Sequence, residues 1–352
     1  MAKAQWILIT WIHSELARLE IDVVFPECTV VYKSPRAILS CEHITEQELA
    51  WRSARLWSAA KRGTTISRDE AKQLLSTATL LWTNDEDFAR RAKKETSCRR
   101  YKIVDIVGAD LEIKQKGVEI LVFGNELVHM VGRQNIDRYT TLDIEKPMRG
   151  MQIGMMPAKL TQTLVNIGVW LINTQDDITV RDPFCGFWTT LFVANACGYH
   201  TIGSDILITS VKGNLAWWKA SAYATDAKMT VFKHDATEPV TKPFIRATSV
   251  VVTEWRLWPV MTKSNFVHVQ RDPKRFAQIK QDIIFLYQNF LTVTAQTLGK
   301  LPIVMTVPVY PDGTHMIDAI ASHAQSLWRT TEILPAYRRA EQVVWRGVLI
   351  LR

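Results

Sequence analysis

Three aspartates stand at the ends of three successive apolar segments in the second half of the chain. Asp182 ends "ITVRD", Asp205 ends "TIGSD" and Asp235 ends "VFKHD". The carboxyl ends of parallel strands meet at one edge of a sheet, where α/β folds bind their ligands. A single aspartate in such a place more often caps a helix, but three in succession favour a ligand site. Asp205 follows Asp182 by about 20 residues, the spacing at which a carboxylate holds ribose hydroxyls.

The loop after the first of these aspartates decides which cofactor the sequence favours. It reads "DPFCGFW" over 182–188 and lacks the G-x-G-x-x-G pattern that brings backbone against a pyrophosphate. An acid ahead of the turn repels phosphate, but it suits the cationic amino-acid end of S-adenosylmethionine. The sequence therefore favours S-adenosylmethionine and disfavours an NAD-dependent oxidoreductase.

The elements that must position these residues fall into two groups. The N-terminal third has the β-α-β-β-α order of a ferredoxin-like unit. Beyond a Gly-, Met- and Pro-rich linker at 143–160, strands and helices alternate as in a parallel, doubly wound α/β sheet. We predict strands at "ITVRDP", "YHTIGSDI", "MTVFKHDA", "ATSVVVTE" and "LPIVMTVPV", and helices after Trp188, near Ser210 and near Lys274. This pattern predicts two domains, a small α+β domain over 1–145 and a Rossmann-like domain over 146–352.

Composition limits the compartment and the metal chemistry. The formal net charge of +8 favours a polyanionic partner such as nucleic acid. No apolar run approaches the roughly 18 residues of a membrane span, and the N-terminus is too polar for a secretory signal. We therefore expect a cytoplasmic protein without membrane contact. The five cysteines form no C-x-x-C pair, which argues against disulfides, and neither they nor the histidines show the spacing of a metal site.

The densest run of positive charge lies in the N-terminal third. Seven basic residues fall within 90–102: Arg90, Arg91, Lys93, Lys94, Arg99, Arg100 and Lys102. A solvated helix face is the ordinary explanation of such a run, and an RNA-binding edge is the functional one. The sequence leaves both open.

Several motifs together resemble one enzyme family. "DPFCGFWTTLFVANACGYHTIGSDI" is similar to D-P-F-C-G-S-G-T followed by G-x-x-V-x-G-x-D-I, the cofactor half of the THUMP-associated RNA methyltransferases. "MMPAKLTQTLVNIG" resembles the helix that precedes the loop in that family, and "NLAWWK", "VFKHDATEP" and "VVTEWRLWP" follow in the family's order. The nearest group is that of the tRNA guanine-N2 methyltransferases and their bacterial relatives. The resemblance covers about 130–352 well and the N-terminal third only in outline.

The resemblance implies roles for specific residues. The methionine end of S-adenosylmethionine would meet the loop at Asp182, Phe184, Cys185 and Gly186. The ribose would be held, and the adenine flanked, by Asp205 and Ile206. The adenine amino group would meet Asp235 and Ala236. The catalytic motif, T-E-P-Y-L-G-P in the nearest group, falls on "TEWRLWP" and implies four catalytic residues, Thr253, Glu254, Trp255 and Arg256. Trp255 stands where the motif has proline, and Arg256 stands where it has an aromatic residue. Cys185 has no histidine partner in the sequence, so we interpret it as a packing residue.

The family and the residues together predict an S-adenosylmethionine-dependent methyltransferase. Its expected reaction is methyl transfer to an exocyclic amine of RNA, guanine in tRNA first of all, with a THUMP-like N-terminal domain binding the RNA. A catalytically inactive, methyltransferase-like RNA-binding protein is the alternative. A DNA amino-methyltransferase is a weaker one, because no separate DNA-recognition domain is evident.

Tryptophans occupy positions where the family pattern has glycine. Trp188 and Trp258 are the clearest cases, and Trp11, Trp57 and Trp345 resemble them; the chain has 13 Trp and only 15 Gly. These tryptophans could be core residues, plugs of an inactive site, or glycine codons read as tryptophan, since some bacterial lineages read UGA as glycine. The last hypothesis is the one we favour. It predicts a backbone suited to glycine at 188 and an indole that projects into the cofactor cleft.

Overall fold

In a computed structural model, the chain forms two compact units, Met1–Asn135 and Ile136–Arg352. The structure describes residues 4–10, 14–42, 44–56, 58–106, 117–149, 155–172, 177–208, 212–240, 243–254, 266, 271–313, 315–328, 330–337 and 343–352. The assignment of separate functions to domains 1–145 and 146–352 stays a prediction.

Among the described residues, the first unit contains one sheet and four helices. The strands are β1 (Ala4–Thr10), β2 (Thr29–Lys33), β3 (Arg36–Cys41), β4 (Ala59–Ile66), β5 (Leu80–Thr83), β6 (Tyr101–Ile103), β7 (Gly117–Phe123) and β8 (Glu126–Arg133). The helices are α1 (Ser14–Val24), α2 (Glu46–Ser53), α3 (Arg68–Thr77) and α4 (Glu86–Glu95). The strands lie in the order β2-β3-β1-β4-β8-β7-β5-β6.

The first half of this sheet has the ferredoxin-like arrangement that the sequence predicts. The elements run β1-α1-β2-β3-α2-β4, and β2, β3, β1 and β4 lie side by side with each neighbouring pair antiparallel. Along β3, buried residues alternate with half-buried ones, so that Leu39 packs with Ile21 of α1 and Leu49 of α2. Ser67 caps the N-terminus of α3, and its hydroxyl accepts a hydrogen bond from the backbone N–H of Glu70. The predicted small α+β domain is confirmed.

A disulfide joins Cys28 and Cys41 in this unit. Thr29 pairs with Ser40 in the antiparallel ladder of β2 and β3, so the two flanking cysteines face each other. The expectation against disulfides is wrong at this pair. The spacing of the cysteines along the chain could not reveal this disulfide. The two sulfurs meet because of the register in which β2 pairs with β3, which no local motif indicates.

The second unit contains the other sheet. Its strands are β9 (Thr179–Asp182), β10 (His200–Asp205), β11 (Met229–Lys233), β12 (Val250–Glu254), β13 (Ile303–Val309), β14 (Thr331–Tyr337) and β15 (Trp345–Leu351). The described α-helices are α5 (Ile136–Thr140), α6 (Ala158–Trp170), α7 (Thr189–Ala196), α8 (Lys212–Lys219), α9 (Pro273–Leu298) and α10 (His315–Gln325). A π-helical turn, Thr141–Glu145, continues α5, and a 3-10 turn, Pro243–Ala247, precedes β12.

The strand order creates a switch point beside β9. The strands lie in the order β11-β10-β9-β12-β13-β15-β14, with β9 to β13 parallel and β15 antiparallel to both of its neighbours. The chain moves outward from β9 to β11 and then returns to β12 on the other side, so the carboxyl ends of β9 and β12 border a crevice. This is the sheet of a Rossmann-like α/β domain, and the predicted doubly wound fold class is confirmed.

The two faces of this sheet are covered by different helices. α6 approaches one face so closely that a Cβ at Gly168 would touch Val250 and Val252. On the other face, Val251 and Met305 belong to the apolar core that α9 and α10 complete. This alternation along β12 and β13 explains their continuous apolar sequence, since both faces are buried.

The predicted elements of this unit are present as strands β9 to β13, and α7 and α9 begin at Thr189 and Pro273. Ser210, where a helix start is predicted, lies outside the described residues. The hairpin of β14 and β15 is absent from the sequence prediction. None of the described helices has the length and apolar character needed to cross a membrane.

Candidate functional site

Asp182 ends β9, a strand that is buried along its whole length. Its Oδ1 accepts hydrogen bonds from Thr253 Oγ1 at 2.6 Å and from the backbone N–H of Phe184 at 3.1 Å. Burial raises the pKa of Asp182 to about 7, although these bonds and one from Thr190 oppose the shift. A carboxyl group in this state ionises readily once a cation lies beside it.

Asp205 ends β10, which pairs with β9 in parallel register. Its Oδ2 accepts a hydrogen bond from the backbone N–H of Gly186 at 2.9 Å, and its Oδ1 accepts one from Leu207 at 2.9 Å. Gly186 has a φ of +42°, a backbone region that favours glycine. Asp205 therefore fixes the turn of the loop 182–188 from the neighbouring strand.

Cys185 lies in the interior of the same loop. Its backbone N–H donates to the carbonyl of Ser204 at 3.0 Å, and its side chain is buried. A Cβ at Gly203 would collide with Leu191 and crowd Cys185, so the glycine lets α7 and the loop approach the strand. Burial raises the pKa of the Cys185 thiol, which keeps it protonated and unreactive, as expected of a packing residue.

Asp235 follows β11 and is exposed. Its Oδ1 accepts hydrogen bonds from the backbone N–H of Thr237 at 2.9 Å and from its hydroxyl at 2.7 Å. Ala236 is buried, and burial lowers the pKa of the preceding His234. No three His, Cys, Asp or Glu side chains among the described residues group closely enough to hold a metal ion.

A cavity of about 620 Å³ lies at the carboxyl ends of β9 to β12. Its volume is within the range of small-molecule sites, roughly 300–1,000 Å³. All the residues that we predict to bind the cofactor line it: Asp182, Phe184, Cys185, Gly186, Asp205, Ile206, Asp235 and Ala236. The fold thus brings this set together, and its binding of S-adenosylmethionine stays a prediction.

The cavity has further walls that the sequence analysis missed. α9 contributes Ile279, Asp282, Ile283 and Leu286, which lie on one face of the helix at i, i+3, i+4 and i+7 spacing. The lining also includes Met155 and Met156, just before α6, and Thr189 and Thr190 of α7. The spacing on α9 was visible in the sequence, but a face of this kind packs against a core as readily as it lines a cavity.

Glu254 ends β12 and lines the same cavity. Its Oε1 accepts a charge-assisted hydrogen bond from Nε of Arg346, a residue of β15 that is 1% exposed. Burial raises the pKa of Glu254, and the Arg346 charge opposes that shift. Arg346 Nη2 also lies 3.5 Å from the carbonyl of Met155. Arg346 therefore favours the ionised form of Glu254 and holds one of its oxygens in a fixed place.

Of the other three predicted catalytic residues, Thr253 lies within the described part of the chain. Thr253 is fully buried and does not line the cavity; its hydroxyl donates to Asp182. Trp255 and Arg256 lie outside the described residues. The catalytic assignment of all four residues stays a prediction, and the contacts of Thr253 suit a positioning role.

Trp188 has a left-handed backbone, with φ 71° and ψ 19°. Its indole is 2% exposed and packs against Phe192, with 5.9 Å between ring centroids. The indole N–H finds no hydrogen-bond acceptor among the described residues. A left-handed conformation costs an ordinary residue roughly 1–2 kcal/mol, and an unsatisfied buried donor costs about 1–3 kcal/mol. Glycine would adopt this backbone without either cost.

The expectation that the Trp188 indole projects into the cofactor cleft is wrong. Trp188 is not among the residues that line the cavity, because its side chain turns toward Phe192 of α7. Trp345 pairs with Val309 in the ladder of β15, and its φ is not positive. Trp11, Trp57 and Trp258 lie outside the described residues. Only at 188, among the described candidates, does the backbone favour glycine.

The seven basic residues within 90–102 are here called the basic segment. Four lie on α4, two on the connection that follows, and Lys102 lies on β6, which ends the sheet of described strands. All seven are exposed. Arg90 pairs with Glu86 one turn earlier, and the Arg99 guanidinium donates to the carbonyl of Lys93 at 3.0 Å. The segment thus presents concentrated positive charge at one edge of the first unit.

No protein-family model and no curated protein sequence matches the chain. A predicted N6-adenine-specific DNA methylase from Listeria monocytogenes is similar in structure, with 10% identity, a TM-score of 0.46 and coverage of 100% of this chain and 97% of that chain. The rRNA methyltransferase aviRa from Streptomyces viridochromogenes has 13% identity, a TM-score of 0.38 and coverage of 63% and 94%. Magnesium protoporphyrin IX methyltransferase from Synechocystis, solved with bound SAH, has 12% identity, a TM-score of 0.36 and coverage of 62% and 94%. These similarities concern the fold of the chain and not its substrate.

Proposed function

We propose that this protein is an S-adenosylmethionine-dependent methyltransferase that modifies an exocyclic amine of RNA, namely guanine in tRNA. One observation carries the proposal. Asp182, Asp205, Asp235 and Glu254, from four successive parallel strands, all line one cavity at the switch point of a Rossmann-like sheet.

The residues around the cavity fit the parts of S-adenosylmethionine. The ammonium of its methionine end would favour the ionised form of Asp182 and thereby lower the raised pKa of that group. Asp205 offers carboxylate lone pairs to the ribose hydroxyls while it holds the loop. Asp235 and Ala236 are the candidates for the adenine amino group and ring. When bound, the cofactor supplies an electrophilic methyl group on its sulfonium.

The chain's own contribution to the reaction is mainly orientation. Glu254, ionised and fixed by Arg346, accepts a hydrogen bond from the target amine, which directs the nitrogen lone pair toward the cofactor. Thr253 supports Asp182 on the cofactor side. Trp255 and Arg256 are proposed to contact the base, the guanidinium by stacking on the purine.

The RNA part of the proposal rests on charge and on the family resemblance. The net charge of +8 and the exposed basic segment favour a polyanionic partner. We propose that 1–145 is a THUMP-like RNA-binding domain and 146–352 the methyltransferase domain. The resemblance to tRNA guanine-N2 methyltransferases supports tRNA as the substrate, and a cytoplasmic location without membrane contact follows from that role.

A catalytically inactive, methyltransferase-like RNA-binding protein is the second candidate. The observation that favours it is the strained Trp188 in the loop that would contact the cofactor. Trp255 and Arg256 also replace the proline and the aromatic residue of the family motif. In such a protein the basic segment would carry the function, and the cavity would have no catalytic role.

Two measurements test the proposal in order. Calorimetry of the full chain should detect S-adenosylmethionine binding, and Asp205→Ala should abolish it because the loop and the ribose lose their acceptor. A transfer assay with a labelled methyl group should then modify tRNA, and mass spectrometry of its nucleosides should find N2-methylguanosine. Methylation of adenine in a DNA duplex instead would contradict the substrate. Absence of both binding and transfer, with retained tRNA binding, would establish the second candidate.

A further inference from the structure

The most exposed large apolar side chains lie around the cavity and are not scattered. Among those in the described ranges, Phe285 at 64% and Leu207 at 60% have the highest exposed fractions. Leu207 lines the cavity, as does its exposed neighbour Ile206. Phe285 stands on α9 between Asp282 and Leu286, which both line the cavity. Single exposed apolar residues are ordinary on a protein surface, but a group of them beside a pocket indicates a binding surface.

α9 presents two neighbouring faces at this place. One lines the cavity, as described above. The other consists of four exposed residues that also have i, i+3, i+4 and i+7 spacing, and it is here called the α9 face: Gln278, Gln281, Asp282 and Phe285. Asp282 belongs to both faces, so the α9 face begins at the rim of the cavity. Phe285 does not line the cavity, and a ligand that covers its ring must therefore extend beyond the rim.

The residues of the α9 face suit nucleic-acid bases better than phosphates. Gln278 Nε2 donates to Asp282 Oδ1 at 2.8 Å, and the second carboxylate oxygen can accept from a ligand. Base edges carry N–H donors, whereas a phosphate is repelled by a carboxylate. The Phe285 ring offers a stacking surface that any base can use. Base edges and base faces are both accessible in unpaired RNA, so this composition favours unpaired nucleotides.

We infer that the α9 face binds an unpaired RNA nucleotide next to the target base, and that the Phe285 ring stacks on it. The inference rests on the proposed function, in which the target guanine enters the cavity and meets Glu254. A polymer that places one base in the cavity must place the neighbouring nucleotides at the rim, where the α9 face lies. The net charge of +8 favours a polyanion as the occupant over a second copy of this basic chain. The expected substrate is thus a single-stranded stretch of RNA and not a continuous duplex.

The test uses the full chain and two RNA probes, a single strand of about 12 nucleotides and the duplex that it forms with its complement. Phe285→Ala should weaken single-strand binding roughly 5- to 150-fold, the range of one lost base–aromatic stack. Phe285→Tyr keeps the ring and should bind like the unsubstituted protein. Phe285→Leu keeps an apolar side chain without the ring and should bind as weakly as Phe285→Ala. Fluorescence anisotropy of labelled RNA measures these affinities.

Three controls separate stacking from a change of fold. Ile333 is an exposed apolar residue of β14 that does not line the cavity, and Ile333→Ala should leave both RNA affinities unchanged. Duplex binding depends on phosphate contacts and should be equal in all Phe285 variants. Calorimetry with S-adenosylhomocysteine should also give equal affinities, because Phe285 does not line the cavity. Equal weakening of the single strand and the duplex would show that Phe285 only supports the fold, which overturns the inference.

The outcomes also separate this inference from the proposed function. If the unsubstituted protein binds neither RNA, the RNA substrate of the proposed function is wrong and the inference falls with it. If it binds the single strand, but Phe285→Ala binds that strand as tightly as before, the inference alone is wrong. Full affinity of Phe285→Leu would replace stacking by plain apolar contact and would overturn the role of the ring. Self-association that Phe285→Ala abolishes, with RNA binding unchanged, would assign the α9 face to a second copy of the chain.

Discussion

Position 188 allows a direct test of whether the loop backbone is built for glycine. Trp188→Ala and Trp188→Gly remove the same indole and the same packing on Phe192. The two variants differ by one methyl group, whose effect depends on the backbone. In an ordinary helix or strand, alanine is the more stable residue by roughly 0.5–1 kcal/mol. At the φ of 71° found here, a Cβ instead costs roughly 1–2 kcal/mol.

The structure therefore predicts a reversal of the usual order. Trp188→Gly should be more stable than Trp188→Ala by about 1 kcal/mol, because the left-handed strain exceeds the entropy cost of glycine. Loss of a buried indole usually costs about 3–5 kcal/mol. In Trp188→Gly, relief of the backbone strain and removal of the unsatisfied indole N–H offset most of this loss of stability. Trp188→Gly should thus lie within about 2 kcal/mol of the unsubstituted protein.

Urea unfolding followed at one pH measures these differences as shifts of the midpoint at constant slope. Trp218 in α8 is the matched control, since its buried indole donates to Asn195 Oδ1 at 2.8 Å. At position 218, loss of the indole should cost the full amount of about 3–5 kcal/mol of stability. The alanine variant there should be more stable than the glycine variant by about 1 kcal/mol. If Trp188→Ala proves as stable as Trp188→Gly, the left-handed backbone at 188 is refuted.

Three further predictions follow from the site and the surface. Burial raises the pKa of Asp182 to about 7, so the unfolded chain releases this proton at a lower pH than the native protein does, and the free energy of unfolding falls by up to about 4 kcal/mol as pH rises from about 4 to 7. Asp182→Asn should remove that fall, and equal pH slopes of the unfolding free energy in both proteins would contradict the prediction. Arg346→Met should destabilise the protein by about 3–5 kcal/mol because Glu254 is left buried without its counter-charge. Adding Glu254→Gln should recover part of this loss, whereas additive losses would exclude coupling. Alanine substitution of Arg91, Lys93, Lys94 and Arg99 should flatten the salt dependence of tRNA binding by about 0.7–0.9 in slope for each phosphate that is no longer neutralised; the matched exposed set Lys219, Lys228, Lys274 and Arg275 should leave the slope unchanged, and an equal effect of both sets would make the basic segment an ordinary solvated face.

The carboxylates of the site could be predicted from the sequence because a parallel sheet imposes a simple order. Asp182, Asp205 and Asp235 each end an apolar segment, and strands of one direction bring such ends to one edge. The loop composition adds to this, since Gly186 marks the tight turn. Local order along the chain therefore sufficed to collect these residues around the cavity.

Features that depend on register or on distant segments could not be predicted. Cys28 and Cys41 meet only through the pairing of β2 with β3. Arg346 reaches Glu254 from a hairpin strand that the sequence analysis did not identify, 92 residues away along the chain. Lys146 is in the same class, because nothing in "DIEKPM" indicates that its ammonium will be buried against α7.

The environments of the tryptophans give the recoding hypothesis a sharper form than composition alone. Trp218 and Trp328 are buried, and each indole N–H donates to an oxygen, Asn195 Oδ1 and the carbonyl of Leu301. Such sites are built for tryptophan, and Trp345 lies in a regular strand. Trp188 alone among these four combines a left-handed backbone with an indole N–H that lacks an acceptor among the described residues. We therefore expect the coding DNA to carry UGA at 188 and UGG at the other three positions. UGG at 188 would make the strain a genuine property of the loop, and the case for an inactive RNA-binding protein would become the stronger one.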